Sequence, residues 1–198
     1  MQLKHIAFLT LSAVSTFAMA EGFDVVVVGS GGAGLSSAIT AKESGATVVV
    51  LEKMAYIGGN SNFASGGMNA AGTKQQLAAG VTQDSPELFY KDTMKGGHNL
   101  NNPALLKTLT ENAKYAEEWL VDLGAKFCFR KGRGGGQSIA RGHGPCDGSA
   151  VGPEILRVLT ERAAKDGIAI RTENQVVKIV MKNGAVAGVE VKTEDGVK

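Results

Sequence analysis

Val25-Val26-Val27-Val28-Gly29-Ser30-Gly31-Gly32-Ala33-Gly34 decides the fold. Four β-branched residues in a row read as a strand, and glycines 29, 31 and 34 turn the chain directly after it. Beyond the turn, Leu35, Ala38, Ile39 and Ala41 carry a helical pattern of small and apolar residues. A second β-branched run, Thr47 to Val50, ends at Leu51 and Glu52. Strand, glycine turn, helix and second strand with an acid at its tip describe a βαβ dinucleotide site over Phe23 to Glu52. Gly29 permits the sharp turn, Gly31 lets a pyrophosphate approach the backbone, and Gly34 lets the helix pack close on the strand. The first helical turn aims free N–H groups and a positive dipole end at the phosphates. Glu52 is placed to accept hydrogen bonds from ribose hydroxyls and would repel a 2′-phosphate.

Upstream, Met1 to Ala20 has the order of an export signal: Lys4, an apolar core from Ile6 to Ala18, and Ala18-Met19-Ala20 as a small-residue cleavage site. The core is too short to span a bilayer as a helix, so no stable membrane insertion is expected. The mature chain is then residues 21–198, starting near Glu21 in the bacterial periplasm. Removal of Met1 to Ala20 takes out Lys4 and no acid, so the formal charge of +2 becomes +1. Such a balance lacks the basic footprint of a nucleic-acid partner. Cys128 and Cys146 enter an oxidising compartment, where their spacing permits a disulfide and leaves the pairing open. The sequence contains no Cys-x-x-Cys-His haem motif and no zinc or iron–sulfur ligand pattern, so no metal site is assigned.

Ile57 to Ala71 is too small and polar to build a core, and it interleaves glycines with Asn60, Ser61 and Ser65. Lying directly after the ribose acid, it is placed to run along a cofactor from its phosphates towards its reactive ring. Helices are expected from Asp84 or Ser85 to about Lys95, from Pro103 to Leu123, and from Pro153 to Ala164. The middle one reads as amphipathic through Leu105, Leu106, Leu109, Ala113, Ala116, Trp119, Leu120 and Leu123. Arg141 to Gly148 reads as a glycine turn in which Arg141 and His143 are the most chemistry-like pair. Strands are expected at Lys126 to Arg130, Ile168 to Arg171, Gln175 to Met181 and Val186 to Thr193, with Asn183-Gly184 as a hairpin turn. A meander ending on Glu194-Asp195-Gly196 leaves an unpaired edge, so the chain reads as the N-terminal part of a larger protein.

Together these segments resemble the fumarate reductase/succinate dehydrogenase flavoprotein family, most closely its exported flavocytochrome c-type branch. The resemblance rests on residues 28–34, on Glu52-Lys53, on Gly58-Gly59-Asn60-Ser61 with residues 64–71, and on Arg141 and His143 before the Pro153 helix. It implies an α/β fold: a Rossmann-like FAD-binding domain of glutathione reductase type, with an added β-meander and incomplete at its C-terminus. It implies FAD rather than a nicotinamide, with Gly29, Gly31, Gly32, Ala33 and Gly34 around the pyrophosphate and Glu52 at the adenosine ribose. Asn60, Ser61, Ser65 and Gly66 would contact the phosphates, ribityl chain and flavin, and Val176 would meet the adenine through its backbone. Membrane-bound relatives attach FAD through a histidine near the position of Asn60; asparagine has no such nucleophile, so FAD is expected to be non-covalent. The family's substrate-binding arginines, histidines and Thr-Glu pair belong to later segments, so no catalytic residue is assigned here.

The resulting expectation is a periplasmic FAD-dependent reductase of the C=C bond of fumarate or a similar unsaturated acid, supplied by a separate cytochrome c. The fragment alone is expected to be inactive. The same residues leave open a ketosteroid dehydrogenase-like flavoenzyme, a non-catalytic flavin-binding electron-relay protein, and an NAD-binding module.

Overall fold

The structure, a computed structural model, describes residues 21–197; the expected export signal lies outside them. The first half contains β1 (Val25–Val28), α1 (Gly32–Glu43), β2 (Val48–Leu51), a 3-10 turn (Gly59–Phe63), β3 (Met68–Asn69), α2 (Lys74–Ala78) and α3 (Pro86–Gly96). The second half contains α4 (Pro103–Asp122), β4 (Phe127–Arg130), β5 (Gly142–Pro145), α5 (Val151–Lys165), β6 (Ala169–Arg171), β7 (Gln175–Lys182), β8 (Ala185–Thr193) and β9 (Gly196–Val197).

Among the described residues the strands form three three-stranded sheets. β1, β2 and β6 pair in parallel in that order, with Val25 beside Val48 and Val50 beside Ile170. The central strand β2 is buried at every residue, whereas β1 is half-buried and opens to solvent at Val28. Leu35, Ala38 and Ile39 of α1 and Leu156, Leu159 and Ala163 of α5 join Val48 and Val50 in the main core. Gly34 makes this possible: a Cβ there would lie 2.0 Å from the Gly29 carbonyl oxygen, so any side chain would push the helix off the strand. The meander β7-β8-β9 is antiparallel, and Asn183 and Gly184 turn it with positive φ, as their sequence required.

The third sheet, in the order β3-β5-β4 and antiparallel, is a departure from the sequence reading. Residues 142–145 form its middle strand rather than a glycine turn. Glycine-rich and short, β5 has no strand signature of its own; it is held from both sides, by Phe127–Arg130 and by Met68–Asn69. The neighbouring β3 and α2 also carried no usable pattern, being two and five residues long. Cys128 and Cys146 form a disulfide along this sheet.

The buried face of α4 is rotated from the expected one. Leu106, Thr110, Ala113, Glu117 and Leu120 are buried, while Leu105, Leu109 and Ala116 are exposed. The buried positions keep helical spacing, but two of the five are polar, which misleads a stripe drawn through leucines. Ser85, not Asp84, caps α3, accepting from the Leu88 N–H. α5 starts at Val151, two residues earlier than Pro153 suggested.

Candidate functional site

Where β1 and β2 end, the glycine turn, the tip of β2, the 3-10 turn and the start of β7 enclose a crevice of about 790 Å³. This is the position at which open α/β sheets bind ligands, outside the carboxyl ends of the strands. Gly29 has φ +97°, which a residue with a Cβ rarely adopts, and its N–H donates to the Leu51 carbonyl at 2.8 Å. Gly31 is the N-cap of α1 and offers no side chain to its first turn, which leaves the helix start open to an anion. On the other wall, Ser61 Oγ accepts from the Gly32 N–H at 3.0 Å, joining the 3-10 turn to the helix start.

Glu52 and Ser30 lock the turn together. Glu52 Oε2 accepts from the Ser30 N–H at 2.9 Å and from the Ser30 hydroxyl at 2.7 Å, and Oε1 accepts from the Met54 N–H at 2.9 Å. Ser30 Oγ in turn accepts from the Gly58 N–H at 3.0 Å. Burial alone would raise the Glu52 pKa; the Ser30 hydroxyl and the N–H groups of Met54, Ser30 and Lys53 outweigh it and hold the carboxylate below its ordinary range. Three of about four lone-pair positions on the carboxylate are thus taken by protein, leaving about one for a ribose hydroxyl.

The far end of the crevice is made by the loop after β2 and the entry to β7. Asn174 N–H donates to the Glu52 carbonyl at 2.8 Å, and Glu173 N–H to the Met54 carbonyl at 3.1 Å. These bonds bring Val176 beside Met54 and Tyr56, across more than a hundred residues of chain.

Of the residues singled out from sequence, Gly29, Gly31, Gly32, Ala33, Glu52, Asn60, Ser61 and Val176 line this crevice together. Gly34 lies behind it, against Gly29. Ser65 and Gly66 lie past it, on an exposed stretch that leaves the 3-10 turn for β3. Sequence reasoning missed Ser30, Met54, Tyr56 and Asn174. Ser30 was findable, because a hydroxyl inside the glycine turn sits opposite the acid that ends β2. The others depend on the loop after β2 meeting β7.

Arg141 and His143 do not reach the crevice, and both are buried. Arg141 makes a two-pronged contact with Asp84, Nε to Oδ2 at 3.0 Å and Nη2 to Oδ1 at 2.7 Å. Its Nη1 donates to Asp92 Oδ2 at 2.6 Å and to Gln137, and its guanidinium lies 5.0 Å from the Phe89 ring centre. His143 Nε2 lies 2.8 Å from Thr73 Oγ1, and Nδ1 lies 3.0 Å from the Arg141 carbonyl oxygen. Burial lowers the His143 pKa, against the pull of backbone hydrogen bonds with Met68 and Arg141. With every polar atom of the pair turned to protein, neither residue is placed to touch a substrate.

A second groove, of about 580 Å³, lies between the starts of α3 and α4, beside Tyr90, Pro103 and Thr110, and shares no residue with the crevice.

The crevice suits a flavin dinucleotide. It is long, it offers an open helix start midway, and it ends beside an acid and a strand entry whose backbone can meet a base. The chain is 49% identical over 175 residues to the NADH:fumarate oxidoreductase of Klebsiella pneumoniae (strain 342), covering 88% of this chain and 19% of that protein. It is 47% identical over 170 residues to a fumarate reductase (cytochrome) of Shewanella frigidimarina, covering 85% and 29%. Among solved structures, the open conformation of a flavocytochrome c3 fumarate reductase superposes with a TM-score of 0.84 at 39% identity, covering 91% of this chain and 32% of that one. The chain therefore spans less than a third of the length of each of these. The model of the FAD binding domain family matches residues 24–198, nearly everything after the export-like segment, and the chain belongs to that family.

Proposed function

We propose that the whole protein is an FAD-dependent reductase of the C=C bond of fumarate or a related unsaturated carboxylate. It works in the periplasm with electrons from a separate cytochrome c, and this chain supplies the adenosine and pyrophosphate half of its flavin site. The observation that carries this reading is the crevice itself, built by four separated segments at the carboxyl ends of two parallel strands. The similarity to fumarate reductases supports the choice of substrate class.

In this reading the start of α1, beyond the Gly32 N–H that Ser61 takes, neutralises the pyrophosphate, and Ser61 keeps the opposite wall at hydrogen-bonding distance. Glu52 takes a ribose hydroxyl with the lone pair that Ser30 and Met54 leave it. Val176 and its neighbours close over the adenine, and Asn60, Ser65 and Gly66 continue along the cofactor towards its ring. FAD, once bound and reduced by the delivered electrons, would supply hydride to one alkene carbon while a proton goes to the other. Asn60 offers no nucleophile for a covalent link, so in this reading the cofactor is held without one.

Anaerobic turnover of the full-length protein with reduced viologen tests the reading against fumarate, methacrylate and urocanate. Oxidation of the viologen by at least one of them is expected. A flavin-loaded protein that reduces none of them overturns the reductase assignment while leaving the FAD site intact.

A further inference from the structure

In the function proposed above, adenosine lies beside Glu52 and Val176 and the pyrophosphate beside Gly31 and Ser61, all of which line the one crevice. The remainder of a flavin dinucleotide must then extend past Ser61, along the exposed backbone of residues 64–67. This stretch is held at two ends. At one, the Gly152 N–H at the start of α5 donates to the Ala64 carbonyl at 2.9 Å. At the other, Met68 and Asn69 pair with His143 and Gly142, and the Ala70 N–H donates to the Arg141 carbonyl at 2.9 Å. Between the two ends, Gly67 lies so close to β5 that a Cβ there would be 2.8 Å from the His143 carbonyl oxygen.

What fixes β5 therefore fixes this stretch, and the hydrogen-bond directions follow from chemistry. A carbonyl only accepts, so His143 Nδ1 carries the hydrogen towards the Arg141 oxygen. In the neutral ring Nε2 is then the acceptor, so the Thr73 hydroxyl donates to it. Thr73 Oγ1 accepts in turn from the Gln76 N–H at 3.0 Å, as the cap of α2. Gln76 Oε1 accepts from the Gly72 N–H, and its amide nitrogen donates to Asp84 Oδ2 and to the Ala140 carbonyl. Asp84 and Asp92 hold the Arg141 guanidinium.

We propose that Arg141, His143 and Thr73 form a buried positioning relay that sets the exposed backbone of residues 64–67, on the cofactor's path, without touching the cofactor. The inference rests on FAD filling the crevice. Around the imidazole, Phe129 of β4 lies 5.6 Å away, Met68 of β3 pairs with it, and Thr73 caps α2; all are uncharged. The charged groups on the packed elements are Arg141 with its Asp84 and Asp92, Arg130 over Gly144, and Lys74 on α2 beside Glu118. Protonating His143 turns Nε2 into a donor, so the Thr73 hydroxyl must reverse and accept from it, and it places a charge in this buried pocket near Arg141; the neutral ring is the form that this packing favours. The folded pKa lies below the ordinary histidine value, so the neutral relay is complete above about pH 6.5 and is lost as pH falls through that lower value.

The test is FAD affinity of the full-length protein, with visible circular dichroism of the bound flavin as a report on the ring's surroundings. Thr73→Val, which keeps the shape and removes the hydroxyl, is expected to weaken FAD by about tenfold and change the dichroism; Thr73→Ser is expected to restore both. Wild-type affinity is expected to fall on acidification below about pH 6.5, and His143→Gln to flatten that dependence. A Thr73→Val protein with a lowered melting point but wild-type affinity and dichroism overturns the proposal. If Thr73→Val does not fold, the pH comparison decides: parallel profiles for wild type and His143→Gln overturn it. Wild-type protein that binds no FAD at all removes the flavin reading beneath it, a separate failure.

Discussion

Glu117 is an acid in the middle of the buried face of α4, 1% exposed, and its Oε1 has no hydrogen-bond partner among the described residues. Burial raises its pKa to about 7, with the charges of Glu118 and Asp122 adding to the rise and Lys74 opposing it. The folded chain thus holds the proton more tightly than the unfolded one. Its contribution to stability is complete below the ordinary carboxylate value and is lost as pH rises to about 7. The loss is on the order of 2–3 kcal/mol. Glu117→Gln keeps the shape and removes the charge, so it is expected to raise the apparent melting point by several degrees at about pH 8 and by little near pH 4.5. Equal shifts at both pH values would refute a buried proton. Arg141 is the opposite case, a buried cation fully paired. Arg141→Ala leaves two facing carboxylates behind and is expected to cost about 3–5 kcal/mol in denaturant unfolding.

At the scale of elements, β5 is the piece whose structure its own residues least explain. Four residues, two of them glycine, become the middle of a sheet because neighbours on both sides supply the register. The disulfide from Cys128 to Cys146, with a separation of 18 residues, closes the loop that carries Gln137, Arg141 and His143. Loop closure of this length stabilises by roughly 3 kcal/mol. Cys128→Ser with Cys146→Ser is expected to lower the apparent melting point, and a reductant to produce the same drop in wild type and none in the double variant. The crevice elements behave differently. β1, α1 and β2 appear where their residues predicted them, because a β-branched run, a glycine turn and a small-residue helix each constrain the backbone locally.

For the molecule as a whole, the crevice follows from joining distant segments. The start of α1, the tip of β2, the 3-10 turn and the entry to β7 meet only because β6 pairs beside β2 and delivers residues 174–176 to the crevice. With the non-covalent attachment proposed above, the flavin of the full-length protein is expected to be released entirely into solution on denaturation; colour retained on the precipitated chain would contradict that. The proposed export is checked by intact mass of the protein recovered from the periplasm, expected to correspond to a start near Glu21; the full-length mass would contradict it. By itself the sequence determined the βαβ unit, most helix limits and most of the glycine-rich wall of the crevice, since these depend on steric freedom and periodicity within a few residues. Only the tertiary structure decided that Glu52 is largely occupied by Ser30, that α4 buries Glu117 rather than Leu109, that His143 lies inside the β3-β5-β4 sheet and that Arg141 is buried at its entry. Those outcomes turn on partners far along the chain, and the burial that gives them meaning exists only once the sheets have packed.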